Sequence, residues 1–272
     1  MKLREALAQS GLVPVDGRVL LAHVLDRDRA WLLAHADDEL ARVDADAFFA
    51  LAKRRREGEP VAYLTGRREF WGLGLAVTPA VLVPRPETET LVEALLERIP
   101  ADRPASVLDL GTGCGAIALA VASERPLARV LATDASRDAL DVARGNAQRL
   151  GLRNAEFLRS DWYADVPAQR FDAIAANPPY VAAGDPHLVE GDLRFEPRIA
   201  LSPGGDGLGA LRTIVAGAAP HLAPGGVLAV EHGHDQSGAV VRLFEAAGFV
   251  AVVARRDLAG IPRVVRGELP PA

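Results

Sequence analysis

Cysteine is almost absent: Cys114 is the only one in 272 residues, so no intrachain disulfide can form. The fold must then be held by burial and hydrogen bonding, which suits a reducing compartment. Lysine is nearly as scarce, Lys2 and Lys53 being the only two, so arginine carries the positive charge. No basic excess exists either: 31 Lys and Arg face 36 Asp and Glu, for a net charge of −5. A protein that holds nucleic acid through its phosphates is usually basic, so the balance argues against DNA or RNA as the direct partner. Also missing is any apolar run of the roughly 18 residues needed to cross a membrane. The start, MKLREALAQSGL, has charges but no long apolar segment behind them, unlike a secretory signal. A cytoplasmic protein without membrane contact is expected. His232 and His234 read as structural residues at a strand end, and no second pair with metal-ligand spacing accompanies them, so no metal is expected.

What remains is ordinary for a globular chain, 49% apolar and 25% charged, at a length that suits one large domain and a small one. Residues 1–58 carry helical spacing, with Leu20, Leu21 and Val24 on one face and Phe48, Phe49, Leu51 and Ala52 on another. Asp26 to Asp28 and Asp44 to Asp46 mark expected helix ends, and Arg54 to Gly58 close the last helix with positive charge. Residues 59–86 change texture, and 69–77 with 80–83 predict a β-hairpin linker. Pro86-Glu87-Thr88-Glu89 then opens a helix, with proline early and acids in the first turn. Across 87–272, strand and helix patterns alternate. Strands are expected at 106–110, 129–134, 155–161, 171–179, 226–233 and near 249–254 and 262–267, with helices at 116–124, 136–151 and up to Gly248. Such alternation predicts an α/β, Rossmann-like, doubly wound sheet behind a small N-terminal helical domain.

The strand at 106–110 runs into Gly111-Thr112-Gly113-Cys114-Gly115, preceded by Asp109. Glycines there let the chain turn sharply and let a ligand lie against the backbone. The spacing is G-x-G-x-G, not the dinucleotide G-x-G-x-x-G, and the Lys-Ser/Thr pair of a phosphate loop is missing. Cys114 reads as a small apolar filler. Asp134 ends the next strand, where an acid can accept hydrogen bonds from ribose hydroxyls. Asp161-Trp162 ends a third, where an acid and a ring can hold adenine. Any one of these could be a plain strand end. Three in order point to a nucleoside, and without a phosphate loop the better candidate is a nucleoside bearing an amino acid, S-adenosylmethionine.

Asn177-Pro178-Pro179-Tyr180 ends the fourth strand and is the most specific signal in the chain. Two prolines fix the backbone and remove two donors. The Pro178 carbonyl and the Asn177 side-chain carbonyl can then accept two N–H bonds from a planar NH₂ group, with Tyr180 stacked on its plane. An amide or aryl NH₂ is a poor nucleophile because its lone pair is delocalised. Two acceptors turn the lone pair outward and stabilise the charge developing on nitrogen. Adenine in DNA, guanine in RNA and glutamine in protein all present such a group, and the tetrapeptide alone does not separate them.

The wider sequence does. Pro60 to Gly66, Glu69-Phe70-Trp71, Val83 to Glu89, the glycine loop, Asn177 to Tyr180, Phe195 to Arg198, Glu231-His232-Gly233, and Asp257 to Gly260 with Arg263 together resemble the release factor glutamine methyltransferases, the PrmC/HemK family. The resemblance spans nearly the whole chain and is weakest in the first 55 residues. It implies a seven-stranded class I methyltransferase domain, a hairpin linker, and an N-terminal domain that grips a class I peptide chain release factor. The implied product beside S-adenosylhomocysteine is a methylated glutamine in a Gly-Gly-Gln motif. The resemblance also assigns Gly111 to Gly115, Asp134 and Trp162 to the cofactor and Asn177, Pro178, Pro179 and Tyr180 to the glutamine; Asp161 is expected in the cofactor site beside Trp162, and Asn177 is expected to touch both ligands. A monomer is expected. Ala76 departs from the pattern, standing where the family often has an aromatic that could wall the glutamine pocket. Arg85 is expected to pair with Glu87 or Glu89 or to meet substrate, and Glu196 to shape the loop after the tetrapeptide. The competing reading is a nucleic-acid adenine or guanine methyltransferase, which would want a basic groove that residues 1–58 do not offer.

Overall fold

A computed structural model describes residues 1–271, the His187 side chain aside. The chain forms two compact units: Met1–Arg67 with Val189–Phe195, and Arg68–Leu188 with the chain from Glu196 onward. Among the described residues, no helix is long and apolar enough to cross a membrane.

The first unit is helical: α1 (Leu3–Gln9), α2 (Pro14–Leu25), α3 (Arg29–Ala34), α4 (Arg42–Arg56) and α5 (Val61–Thr65). Leu3, Ala6, Leu20, Leu21, Leu32, Leu40, Phe48 and Leu64 make its core. Asp26 closes α2 in the left-handed region (φ 49°), and Asp28 caps α3 by accepting from Trp31 N at 2.7 Å. The second expected boundary moves: Asp44 lies in the first turn of α4, where its charge suits the helix N-terminus. Nor is α4 the last helix, because Pro60 opens α5 and Gly66 (φ 69°) ends it. Val189–Phe195 belongs to this unit through Asp192, which accepts from Arg55 Nη1 at 2.5 Å while Arg55 Nε donates to Asp16 at 2.7 Å.

The hairpin pairs β1 (Arg67–Phe70) with β2 (Leu73–Ala76) around Trp71-Gly72, both at positive φ (55° and 69°). That geometry matches the twist of a two-residue hairpin loop. Trp71 is held in it by its N–H to Glu89 and its indole N–H to Glu124, both 2.9 Å. The expected second strand at 80–83 is therefore not one; Pro79 and Pro84 bracket it and cannot donate to a ladder. A 3₁₀ turn, Pro86–Thr88, leads into α6 (Glu89–Leu96).

Beyond it come β3 (Ala105–Leu110), α7 (Ala116–Glu124), β4 (Ala128–Asp134), α8 (Arg137–Leu150), β5 (Ala155–Arg159), β6 (Phe171–Ala176), α9 (Arg198–Leu201), α10 (Gly209–Gly217), β7 (Leu222–Glu231), α11 (Ser237–Ala246), β8 (Val250–Arg256) and β9 (Pro262–Glu268). The seven strands lie in the order β5-β4-β3-β6-β7-β9-β8. The first five are parallel; β9 runs antiparallel to both β7 and β8. Covered on both faces, β3 and β6 read as nearly unbroken apolar runs, and every residue from Ala116 to Ala122 in α7 is buried. The chain winds from β3 outward to β5, then returns to place β6 on the other side of β3. Ligands in such sheets bind outside the carboxyl ends at that reversal, here the ends of β3 and β6.

Candidate active site

A cavity of about 530 Å³ opens at that reversal, within the size range of sites that hold a cofactor-sized molecule. Gly111, Thr112, Gly113, Cys114, Asp134, Asp161, Trp162, Asn177, Pro178 and Pro179 all line it. Residues from four strand ends, read separately along the sequence, meet in one place. Gly115 and Tyr180 are not on its wall.

The floor is the loop after β3. Gly111, Gly113 and Gly115 have φ of 72°, 57° and 88°, a region that side chains rarely tolerate. A Cβ on Gly111 would meet the Trp162 ring at 3.5 Å, whereas one on Gly113 would meet nothing within 4 Å. Glycine at these positions leaves the cradle between loop and indole open. Gly115 serves packing instead: a Cβ there would press Leu119 at 3.0 Å and Ala143 at 3.3 Å. Beneath the loop, buried Asp109 accepts from the Thr112 hydroxyl (2.7 Å) and Ala118 N (3.2 Å), and its Oδ1 has no partner. Burial pushes its carboxyl up to about 7. Cys114 is buried and its thiol is pushed up to about 12, so it stays a neutral filler.

Asp134 at the end of β4 accepts from Gly113 N and Ser136 N, both 2.9 Å, so the same carboxylate shapes the loop and faces the cavity. Burial raises its pKa. Trp162 sits at φ 50°, fixed by the Ser160 hydroxyl, which donates to Trp162 O at 2.8 Å and accepts from Asp165 N at 3.0 Å. These donors and acceptors fit S-adenosylmethionine: carboxylates for hydroxyl, amine and ammonium groups, an indole for a base, an open glycine cradle, and no phosphate-binding lysine.

At the end of β6, the Asn177 side-chain NH₂ donates to the Thr88 hydroxyl at 3.1 Å, leaving Asn177 Oδ1 as the free acceptor. Tyr180 packs against the sheet core, and its hydroxyl donates to Glu231 Oε1 at 3.1 Å. Tyr180, expected to stack on the substrate, is therefore not among the residues lining the cavity. Glu231 ends β7 and is 1% exposed; burial pushes its carboxyl up to about 7 against the pull of the Thr88 and Tyr180 hydroxyls. Thr88 lines the cavity and is itself buried.

Ala80, Val81, Leu82, Pro84 and Arg85 supply a further stretch of the wall. Its clamp is Glu196, buried, which accepts from Val83 N at 3.1 Å and pairs with Arg85, another lining residue. Arg85 therefore pairs with Glu196 rather than with Glu87 or Glu89, the partners its spacing suggested. Ala76 does not line the cavity; its backbone N and O pair with Asn146, whose NH₂ also donates to Cys114 O at 2.8 Å. Sequence reasoning gave no role to Asn146, which ties the hairpin to the glycine loop, or to Thr88, whose value depends on a neighbour 89 residues away. His232 is buried with Nδ1 on Gly233 O at 2.7 Å, which fits a structural residue. No His, Cys, Asp and Glu group that could hold a metal occurs among the described residues.

Two family models match: one described as PrmC N-terminal domain over residues 2–66, the other as Methyltransferase small domain over residues 87–206. The release factor glutamine methyltransferase of Xylella fastidiosa (strain Temecula1) is 53% identical over 265 residues, covering 97% of this chain and 96% of that one. Its counterpart in Burkholderia pseudomallei is 54% identical over 273 residues, covering 98% and 95%. Among solved structures, a T. thermophilus 16S rRNA N2 G1207 methyltransferase in complex with AdoMet and guanosine superposes with a TM-score of 0.55 at 25% identity. That match covers 75% of this chain and 49% of the other.

Proposed function

The chain belongs to the release factor glutamine methyltransferase family, and from that premise we propose that it methylates the side-chain nitrogen of the glutamine in the Gly-Gly-Gln motif of a peptide chain release factor. The observation that carries the reading is the pairing of Asn177 with Thr88, which leaves a side-chain carbonyl and the Pro178 carbonyl as two acceptors beside an open cofactor cradle. S-adenosylmethionine, when bound, supplies an electrophilic methyl group. Gly111 and Gly113 give its chain room, Asp134 accepts from its ribose hydroxyls, and Asp161 and Trp162 hold its adenine. Asn177 Oδ1 and Pro178 O accept the two N–H groups of the glutamine amide, which turns its lone pair outward and steadies the positive charge that grows on nitrogen. Tyr180 holds the turn from behind through Glu231. No side chain abstracts a proton first, because a primary amide is too weak an acid for a carboxylate or histidine near neutral pH. The proton leaves once the methylated nitrogen has become strongly acidic. The helical unit grips the release factor, and the net charge of −5 favours a protein surface over nucleic acid.

Mass spectrometry of a purified release factor after incubation with the enzyme and S-adenosylmethionine tests this. One methyl on the Gly-Gly-Gln glutamine is expected. Methyl transfer to nucleic acid, with none to the protein, would overturn the reading.

A further inference from the structure

The turn Asn177-Pro178-Pro179-Tyr180 lacks two of its means of support. Pro178 and Pro179 have no N–H, so neither can tie the turn to its surroundings by donating. Both line the cavity, and the Pro178 carbonyl has to keep one direction there if it is to accept from a substrate. That direction is set from the flanks. On one side the Asn177 NH₂ donates to Thr88. On the other, Tyr180 supplies the hold twice. Its hydroxyl donates to Glu231 Oε1 at 3.1 Å, and its backbone carbonyl accepts from Gln236 Nε2 at 2.9 Å.

Gln236 stands at the N-terminal cap of α11, and its side chain is locked. Its backbone N donates to Gly233 O at 3.0 Å while its Oε1 accepts from Gly233 N at 2.9 Å, a closed ring that fixes the side chain from the β7 end. The facing of the amide follows. One neighbour, Gly233 N–H, can only donate; the other, Tyr180 O, can only accept. Turned over, the amide would set NH₂ against N–H and oxygen against oxygen. Two glycines make room for the contact. A Cβ on Gly233 would press Gln236 Oε1 at 3.0 Å, and one on Gly207 would collide with Tyr180 O and press Gln236 Nε2 at 2.9 Å. The Tyr180 carbonyl is thus held from one side and walled from another.

We propose that Gln236 is a positioning residue for methyl transfer: by holding Tyr180 O it fixes the far end of the two-proline turn, and with it the direction of the Pro178 carbonyl that accepts from the glutamine amide. The inference rests on the glutamine reading given above. Both proline rings fix φ, so few torsions remain between the Pro178 carbonyl and the Tyr180 peptide, and a hold on the second is passed to the first. Gln236 lies 56 residues from Tyr180 along the chain and does not line the cavity itself.

Steady-state kinetics on an intact release factor tests the proposal with three full-length proteins: wild type, Gln236→Leu and Gln236→Glu. Gln236→Leu removes both side-chain bonds. Its kcat should fall about ten- to a hundredfold, the upper figure being the scale of a misplacement of about 1 Å in a site. KM for S-adenosylmethionine should stay within about threefold, well short of that loss, because the turn and not the cofactor cradle is disturbed. Gln236→Glu keeps an oxygen for Gly233 N–H but, when ionised, sets a second oxygen against Tyr180 O. Protonated, the carboxyl donates there and restores the contact. The ratio of its kcat to that of wild type at the same pH should therefore rise severalfold from about pH 8 to about 5.5, on the way to the ordinary glutamate value of about 4.3. Taking the ratio removes ionisations that both proteins share, and a Gln236 that only supports the fold gives no such recovery. A Gln236→Leu protein as fast as wild type, a KM for S-adenosylmethionine that rises as far as kcat falls, or a Gln236→Glu ratio that is flat with pH would overturn the proposal while leaving the glutamine activity of the wild type intact. A wild type that transfers no methyl to the release factor would instead remove the glutamine reading, and this inference with it.

Discussion

Asn177 and Asp134 carry opposite kinds of demand, one on orientation and the other on charge. Changing Asn177 to Asp keeps an acceptor and the shape but adds charge and removes the NH₂ that donates to Thr88. If proton abstraction limited the rate, a carboxylate at this position would preserve or raise it. If a neutral, oriented acceptor is what matters, Asn177→Asp and Asn177→Ala should both lower single-turnover methyl transfer by about a hundredfold. An Asp variant at wild-type speed would sink the orientation account. Asp134→Ala should weaken S-adenosylmethionine binding by about tenfold or more, the scale of roughly 1.5–3 kcal/mol for hydrogen bonds to a charged acceptor. Part of that loss will come from Gly113, whose N–H rests on the same carboxylate. Titration calorimetry giving an unchanged affinity would remove Asp134 from the site. Both residues were legible beforehand because each ends a strand, and strand ends in a doubly wound sheet are where chemistry gathers. Thr88, Asn146 and Glu231 were not, since each acts on a partner that only the fold brings near: Asn177, Ala76 and Tyr180, at separations of 89, 70 and 51 residues.

At the level of elements, the strands carry a cost at their ends. Asp109 sits one residue before the end of β3, deep under the glycine loop, with one oxygen unpartnered. Its carboxyl is raised from 3.8 to about 7, first by burial, against hydrogen bonds from Thr112 and Ala118 and with the nearby Asp134 charge adding to the rise. A folded-state pKa above the unfolded one means that the folded protein binds the proton more tightly. The associated stability is present below about 4 and is lost as pH rises through about 7. Asp109→Asn removes the charge and keeps an acceptor for Thr112. The variant should therefore be more stable than wild type at pH 8, by on the order of 1–3 kcal/mol, with the gap closing toward pH 4. Thermal melts run across that range check it; a gap that widens on acidification would show that Asp109 is stabilised as the anion. Element type followed readily from sequence wherever burial was two-sided, as in β3, β6 and α7. It failed at the hairpin, because Trp71 is an unusual residue for a left-handed turn. What holds it there is a pair of glutamates, Glu89 and Glu124, that periodicity cannot see. The short α5 escaped for a related reason: five residues carry too little pattern to separate a helix from a loop.

On the scale of the whole molecule, the helical unit has no part of the catalytic constellation, yet it presents apolar side chains to solvent. Val13, Val15 and Val19 are 60%, 60% and 43% exposed, the last two one helical turn apart on α2. Such residues contribute little to the unit's own core, which is built from Leu20, Leu21, Phe48 and their neighbours. A role in gripping the release factor would account for them. Deleting the N-terminal helices is a poor test, because Val189–Phe195 belongs to the same unit and would lose the Arg55 partner of Asp192. Two surface charges serve better. Val15→Asp with Val19→Asp should raise KM for an intact release factor by about tenfold, equivalent to ~1.4 kcal/mol of lost contact. The same protein should handle a short Gly-Gly-Gln peptide as wild type does, since the peptide reaches only the Asn177 site. Exposed positions tolerate such changes with little loss of fold stability, so unchanged melting would accompany the effect. Equal KM values for the intact factor in variant and wild type would show that this face of α2 does not meet the substrate. A loss shared by factor and peptide alike would instead place the defect in the catalytic unit and leave the helical unit without a recognition role.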